Sequence, residues 1–298
     1  MKKKFTRYSQ VVNDLIHVGI FKSKNTSIFS NQTRDKNIKV LKDKKTGVIF
    51  IPKHRSNIKN HYQLKNENLF SIKSVFKVRR KNVKLIGLND DVRRFEYLKN
   101  KIKNKSLLDF GCGKGKFLKI AKRNTKNIAG LEISRQFINH LSKQFKMYED
   151  LDHVDQKFDV VTLFHVLEHI PNQIETLKKI KKVIYKNGKL FIEVPHANDL
   201  LLNLKVFRNF TLWSEHLVLH TKFSLTKYLK VAGFKINKIL FIQRYNFLNH
   251  LKWFMEGKPE GHVTNQMLYD KDIIETYNKF LIKNKITDTL FVEAKLDK

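Results

Sequence analysis

Residues 106–121, SLLDFGCGKGKFLKIA, restrict this chain more than any other stretch. The apolar pair Leu107-Leu108 reads as a short buried strand. Asp109-Phe110-Gly111-Cys112-Gly113-Lys114-Gly115 breaks it, and Phe117, Leu118, Ile120 and Ala121 resume at helical spacing. Strand, glycine turn and helix in that order form a cradle for a nucleotide-like ligand. Glycine lets the backbone come close to such a ligand, and the unpaired N–H groups at a helix start favour negative charge. The glycines follow G-x-G-x-G, and Lys116 stands where the dinucleotide fingerprint has its third glycine. At the spacing of a ribose-binding acid, Ile128-Ala129-Gly130-Leu131-Glu132 reads as a second strand ending in a carboxylate. A carboxylate there can accept hydrogen bonds from both ribose hydroxyls.

From residue 106 onward strands and helices alternate, which argues for a parallel sheet with helices on both faces. Ser134 reads as the N-cap of a helix through Phe145, and Lys146-Met147-Tyr148 as a third strand. Residues 158–164, FDVVTLF, form a near-continuous apolar run, as in a central strand buried on both faces. Ile174, Leu177, Ile180 and Ile184 share one face of a helix over 172–186, closed by Asn187-Gly188. Residues 189–195 then read as a fifth strand, 224–232 as a helix, 235–243 as a sixth strand and 287–294 as a last one. Before the glycine turn, Val11, Val12, Leu15, Ile16 and Ile20 give a helical face. Residues 38–41 and 48–52 give a hairpin around Gly47, and 68–105 read as helical, with Val92, Phe95, Leu98 and Ile102 on one side.

The charge is unusual: 60 Lys and Arg stand against 27 Asp and Glu, a net +33. Such a balance suits an RNA- or membrane-binding surface. It also suits a compositional bias, because Lys far outnumbers Arg and is spread along the chain. One cysteine, Cys112, excludes an internal disulfide and any Cys-cluster zinc site and fits a reducing cytoplasm. After the basic start no apolar run marks a signal peptide, and no stretch approaches the ~18 apolar residues of a membrane span.

DFGCGKGKFL followed by GLEIS resembles the first two motifs of class I S-adenosylmethionine (SAM) dependent methyltransferases, and FDVV…HVLEHIP resembles a later motif of the same enzymes. The resemblance implies an α/β fold: a Rossmann-like seven-stranded sheet, mostly parallel with the last strand antiparallel, and helices on both faces. A small N-terminal α+β segment over 1–75 would precede a methyltransferase domain over 76–298. It implies SAM as cofactor, with Asp109 near the methionine amino group, Gly111, Cys112, Gly113 and Gly115 under methionine and ribose, and Glu132 with Ile133 on the ribose. Asp150, with Leu151 beside it and Glu149 as substitute, would meet the adenine. Phe164 and His165 would line the sulfonium side.

The branch most similar modifies sugars of bacterial surface polysaccharides. Its relatives carry a "tGvif-P" hairpin in a small zinc module; the cysteines of that module are absent here, so no metal site is expected. In the branch a loop ending in Glu-His reaches over the acceptor, which makes His216 the expected general base, with Glu215 as its partner. A neutral imidazole can take a hydroxyl proton as the methyl arrives. His169, beside Glu168, is a second acid/base candidate, though the pair also suits a loop-orienting role. His196 follows the fifth strand and faces substrate. The long insertion over 244–286 is the sort of segment that carries function. It offers Arg244, Tyr245, Asn249 and His250, with a guanidinium for an anion and aromatics for ring faces. The expected partner is an anionic small acceptor, a nucleotide-sugar or glycan hydroxyl. A tRNA or rRNA methyltransferase is the alternative, motivated by the charge and opposed by the lack of an Asn-Pro-Pro-Tyr-like motif after Phe164. A non-catalytic scaffold is opposed by intact Asp109, Gly111, Gly113 and Glu132.

Overall fold

The computed structural model describes residues 8–53, 90–261 and 270–297. The expected helical reading over 68–89 and the expected domain boundary at 75 lie outside the described residues. The chain divides into two compact units, one of residues 1–54, 165–181 and 192–298, the other of residues 55–164 and 182–191.

The second unit carries the glycine turn. Helix α2 (Asp90–Ile102) buries Arg94, Leu98 and Ile102, while Val92 faces solvent. Strands β4 (Ser106–Phe110), β5 (Asn127–Leu131), β6 (Lys146–Tyr148) and β7 (Phe158–Phe164) are all parallel, with Leu108 opposite Ala129 on one side and Val161 on the other. Helices α3 (Lys116–Ala121) and α4 (Arg135–Leu141) follow β4 and β5. Leu118, Leu141 and Phe145 pack together with Cys112, Ile128 and Met147 against them. Asp159 ties the start of β7 to β4: its carboxylate accepts from the Ser106 amide and hydroxyl at 2.9 and 2.8 Å.

Strand β8 (Ile184–Pro195) corrects two readings at once. The preceding helix, α5 (Gln173–Lys182), stops before Ile184, and Asn187-Gly188 lies inside the strand rather than closing a helix. Gly188 is required there because a Cβ would stand 2.9 Å from the Asp159 carbonyl oxygen, the close backbone approach that marks glycine in a strand. Residues of β8 through Phe191 belong to the second unit and those from Ile192 to the first. The hydrogen-bonded order of the seven-stranded sheet is β10-β11-β8-β7-β4-β5-β6, where β10 is Phe234–Ile242 and β11 is Thr289–Leu296. These last two are antiparallel, Ile239 opposite Val292. The expected mostly parallel, seven-stranded Rossmann-like sheet with helices around it is thus present.

The first unit also holds a four-stranded sheet, β1 (Thr26–Ser30), β2 (Val40–Asp43), β3 (Ile49–Phe50) and β9 (Val218–Leu219), in that order. β2 and β3 are the expected hairpin, with Leu41 opposite Phe50. Strand β1 has no clear signal, since TSIFS is short and half polar. Helix α1 (Gln10–His17) is anchored by buried Asp14, whose carboxylate accepts from the Ile174 amide at 3.1 Å. Helices α6 (Lys205–Thr211) and α7 (Lys222–Val231) flank β9, and α7 opens with a reciprocal Thr221–Ser224 capping box. The insertion between β10 and β11 folds as α8 (Phe247–Glu256) and α9 (Lys271–Asn284). Among the described residues no helix is long and apolar enough to cross a membrane.

The hairpin turn rests on Asp43, fully buried, whose Oδ1 accepts from the Thr46 amide at 2.7 Å and the Thr46 hydroxyl at 2.6 Å. Asp43→Ala is expected to destabilise the protein by about 2 kcal/mol, the worth of hydrogen bonds to a charged group, read as a lower urea midpoint with the slope unchanged.

Candidate active site

In the second unit the chain leaves β4 through three glycines with left-handed backbone, Gly111 (φ 71°), Gly113 (φ 51°) and Gly115 (φ 68°). The turn folds back on β5: the Gly111 and Cys112 amides both donate to the Leu131 carbonyl, at 2.7 and 3.1 Å. At Gly115 a Cβ would meet Leu141 Cδ2 at 2.5 Å, so α3 can only start this close to α4 without a side chain. Over Gly113, among the described residues, nothing lies within 4 Å of where a Cβ would stand. Burial pushes the Cys112 thiol up, so it packs as a neutral apolar group.

Glu132, at the end of β5, is held by backbone. Its Oε2 accepts from the Gly113 amide at 2.8 Å, and its Oε1 from the Ile133 and Ser134 amides at 2.8 and 3.0 Å. The glycine turn, Glu132 and Ile133 are therefore one assembly with a pre-oriented carboxylate. Ser134 occupies the N-cap position of α4, which ends a turn earlier than expected, at Leu141.

Asp109 is buried at the end of β4, and its Oδ1 accepts from the Thr162 hydroxyl at 2.7 Å. Burial pushes its pKa up to about 7; Thr162 and Arg94 pull the other way, and Asp91 and Glu132 add to the rise. A carboxyl poised this way gains from a cation such as an ammonium. Phe164, at the end of β7, packs edge-on against Phe117 at 5.0 Å, and the Arg94 guanidinium lies 4.7 Å over its ring. Asp150 caps the short turn Leu151–His153 by accepting from the Asp152 amide at 2.9 Å, Leu151 is buried, and Glu149 is exposed.

Thr162 and Arg94 carry no expectation from sequence. Thr162 is the lone hydroxyl in the apolar run of β7, which is the signal that could have found it. Arg94 has none, because a basic residue on an amphipathic helix is ordinary.

In the first unit His165 follows directly on Phe164 in a left-handed conformation, φ 54°, uncommon for a non-glycine residue. Its Nδ1 lies 3.2 Å from Glu168 Oε1 and its Nε2 lies 3.1 Å from Glu193 Oε1. Burial alone would depress its pKa, but the two carboxylates outweigh this and raise it. Glu168 is fully buried; burial raises its pKa, yet His165, His169 and His216 around it bring it down to about 2. Glu193, fully buried in β8, is a partner that sequence reading missed; a charge inside the apolar run LFIEVP was its signal.

His169 and His216 stand side by side, ring centroids 5.0 Å apart. His169 Nδ1 donates to the Glu215 carbonyl at 3.1 Å, and its Nε2 lies 3.9 Å from Glu168 Oε1. Burial above all, and then His169, push His216 down to about 4, so it is neutral at pH 7. The loop that carries it is pinned, since the Leu217 amide donates to the Glu168 carbonyl at 2.8 Å and the Leu217 carbonyl accepts from Ile51 at 3.0 Å. Behind the turn Leu167–His169, Gln173 donates to the Leu167 carbonyl at 2.8 Å and accepts from buried His220 at 2.7 Å. The structure therefore brings His165, Glu168, His169, Glu215 and His216 together.

The remaining expected residues lie elsewhere in the same unit. His196 donates from Nδ1 to the Thr287 carbonyl at 3.0 Å and burial holds it down to about 4. It lines a cavity of about 470 Å³ with Asn198, Thr221, Phe223 and Phe241. Arg244 and exposed Tyr245 follow β10, their backbone amides both bound to Asp288 Oδ2, with the Arg244 guanidinium 5.6 Å over the Tyr245 ring. Asn249 and His250 are buried inside the helical insertion, where His250 contacts the Tyr277 hydroxyl at 3.0 Å and Gln243 at 2.9 Å.

A doubly wound parallel sheet, a turn of three left-handed glycines and an amide-held acid on the next strand define a nucleoside-binding domain of Rossmann type. A family model described as "Methyltransferase domain" matches residues 84–239, half of the chain, and the chain belongs to that family. It carries a SAM-dependent methyltransferase domain, and SAM is the cofactor that Asp109, the glycine turn and Glu132 suit. The ubiquinone biosynthesis O-methyltransferase of Coxiella burnetii is 29% identical over 118 residues, covering 35% of this chain and 50% of that protein. The tRNA U34 carboxymethyltransferase of Campylobacter jejuni is 29% identical over 163 residues, covering 48% and 56%. The chain thus spans about half the length of these curated relatives. A SAM-dependent methyltransferase of Archaeoglobus fulgidus matches in structure over 79% of this chain and 99% of its own, at TM-score 0.49 and 21% identity.

Two outcomes test the cradle. Glu132→Ala should weaken S-adenosylhomocysteine binding by roughly 10- to 100-fold in calorimetry, the loss of one or two charge-assisted hydrogen bonds. A bound ammonium would lower the Asp109 pKa from about 7, so binding releases a proton, and affinity should climb with pH up to about 7. The rise approaches about tenfold per pH unit on the acid side. Asp109→Asn should bind more weakly and flatten that slope.

Proposed function

We propose that this protein transfers the SAM methyl group to an oxygen of a small anionic acceptor, a sugar hydroxyl of a nucleotide-sugar or surface glycan being the first choice. The acceptor oxygen attacks the methyl carbon in line with the C–S bond. That bond breaks with its electron pair staying on sulfur, which leaves neutral S-adenosylhomocysteine, and the hydroxyl proton departs. The leaving group is already good, so the protein must supply alignment, exclusion of water and help with the proton.

The observation that carries the reading is the cluster of Glu168, His169 and neutral His216, reached by the chain directly from Phe164 at the end of β7. The His216 lone pair can serve a hydroxyl in two ways: by taking its proton, with Glu215 and His169 beside it, or by holding a cation that acidifies it. The relative from Coxiella burnetii is named an O-methyltransferase, which supports oxygen as nucleophile. His196, Arg244 and Tyr245, with Asn249 and His250 behind them, are the substrate-facing set in this proposal; Asp150 and Leu151 serve the adenine, and Phe164 and His165 the sulfonium. Residues 1–75 form an acceptor-side segment ahead of the domain over 76–298, whose family match begins at 84. The single cysteine suits work in a reducing cytoplasm.

A second reading has its own observation. The similarity to a tRNA U34 carboxymethyltransferase, together with the net +33, favours a tRNA acceptor. The two differ in salt response. A protein that neutralises several phosphates loses affinity steeply with salt, whereas a nucleotide-sugar presents about two charges.

His216→Ala should lower turnover on the order of 10²-fold while S-adenosylhomocysteine affinity changes less than about twofold; a fully active variant removes His216 from the reaction. Labelled methyl from SAM, offered with nucleotide-sugars and separately with bulk tRNA, should appear in the sugar pool with a shallow salt dependence. Label in tRNA, with a steep one, establishes the second reading instead.

A further inference from the structure

We propose that Glu168, His169 and His216 form a binding site for a divalent cation of the zinc type. One ligand atom from each lies within 4.8 Å of the others. A closed tetrahedral shell with bonds of about 2.0–2.2 Å spaces its ligands about 3.4 Å apart, so small side-chain rotations close this set on an ion. The sequence-based expectation of no metal site rested on missing cysteines and did not weigh a Glu-His-His set drawn from two loops.

Three observations point to a cation. The His169 ring is already oriented for ligation, with its Nδ1 3.1 Å from the Glu215 carbonyl oxygen and its Nε2 turned toward Glu168 Oε1 at 3.9 Å. The carboxylate is incomplete as it stands: Glu168 is fully buried, and among the described residues its Oε2 has no hydrogen-bond partner. A buried charged oxygen left bare is costly, so native structures fill such positions. The outer contacts are those that orient metal ligands: a backbone carbonyl behind one imidazole, and a His165–Glu193 pair behind the carboxylate at 3.2 and 3.1 Å.

The ligand chemistry chooses the ion. Two imidazoles and one carboxylate suit zinc and its neighbours, whereas magnesium and calcium take oxygen ligands. Three protein ligands also leave a position for an outside oxygen. Glu168 and Glu193 both pair with His165, so affinity comes from the ligand bonds rather than from a negative field. The cation's use, polarising an acceptor hydroxyl so that its proton leaves to water, rests on the methyltransferase reading; its binding does not.

Full-length protein stripped with a chelator and titrated with Co²⁺ is expected to take up one equivalent with visible d–d bands of a low-coordinate ion, which added Zn²⁺ abolishes. His169→Ala and His216→Ala, each with a thermal melt matching that of the stripped wild type, should weaken Co²⁺ binding by roughly 10²-fold or more, and Glu168→Gln likewise. Wild type that binds no more Co²⁺ than the His169→Ala/His216→Ala double variant overturns the proposal, as does a spectrum that stays that of the hydrated ion. S-adenosylhomocysteine binding, measured on the same stripped protein, is expected to persist. Its loss from folded protein would count against the methyltransferase reading while the Co²⁺ titration still decides the cation site.

Discussion

An ionised carboxylate removed from solvent costs several kcal/mol unless its surroundings neutralise it, and much of the first unit answers that demand at Glu168. The side chain draws in His165 on one oxygen. Its backbone carbonyl holds Leu217, and Leu217 in turn holds Ile51 beside β3. Through these bonds the short four-stranded sheet, the turn Leu167–His169 and the loop bearing His216 become one support. Gln173 and His220 lock the same turn from behind. A segment of weak local propensity, two residues long in β3 and two in β9, is thereby held where its own pairing alone would be marginal.

The second unit handles its acids in the opposite manner. Glu132 has its oxygens occupied by three backbone amides and so keeps its charge and direction at little cost. Asp109 has the Thr162 hydroxyl and the charge of Arg94 on its side, yet burial outweighs both and leaves it to gain from a further cation. The first is a finished acceptor, its direction fixed before any ligand arrives. The second is a site whose stabilisation arrives with the ligand. The glycine turn links them, since Gly111 and Cys112 bind β5 and Gly113 binds Glu132.

The elements that local pattern dictates were legible. β4, β6 and β7 stand where the apolar runs and glycine signals put them, and the fold class follows from their alternation with helices. Ile184 was misread because a β-branched residue four after Ile180 continues a helical face as well as it opens a strand. β1 was missed because TSIFS gains its place from β2 rather than from its own composition. At the site, Glu132 and Asp109 were legible because each ends a strand beside glycines. The Glu168–His169–His216 set was legible only in halves, since two loops 47 residues apart in sequence meet only through tertiary hydrogen bonds. Asn249 and His250 looked like ring and phosphate contacts by residue type, yet the helix α8 periodicity turns both inward.

The interior also changes what the composition says about charge. Of the 27 acids, Asp14, Asp43, Asp109, Glu132, Glu168, Glu193, Asp199 and Glu293 are buried among the described residues. They hold amides, hydroxyls and imidazoles and are withdrawn from the surface balance. Asp288 does the same, its Oδ2 taking the amides of Arg244 and Tyr245. The solvent-facing layer is therefore poorer in acids than a net +33 suggests, which strengthens its attraction for anions. Asp109, Glu132, Glu168 and Glu193 serve the candidate site, while Asp14 and Asp43 anchor α1 and the hairpin turn, so the same withdrawal of acids supports site and scaffold alike.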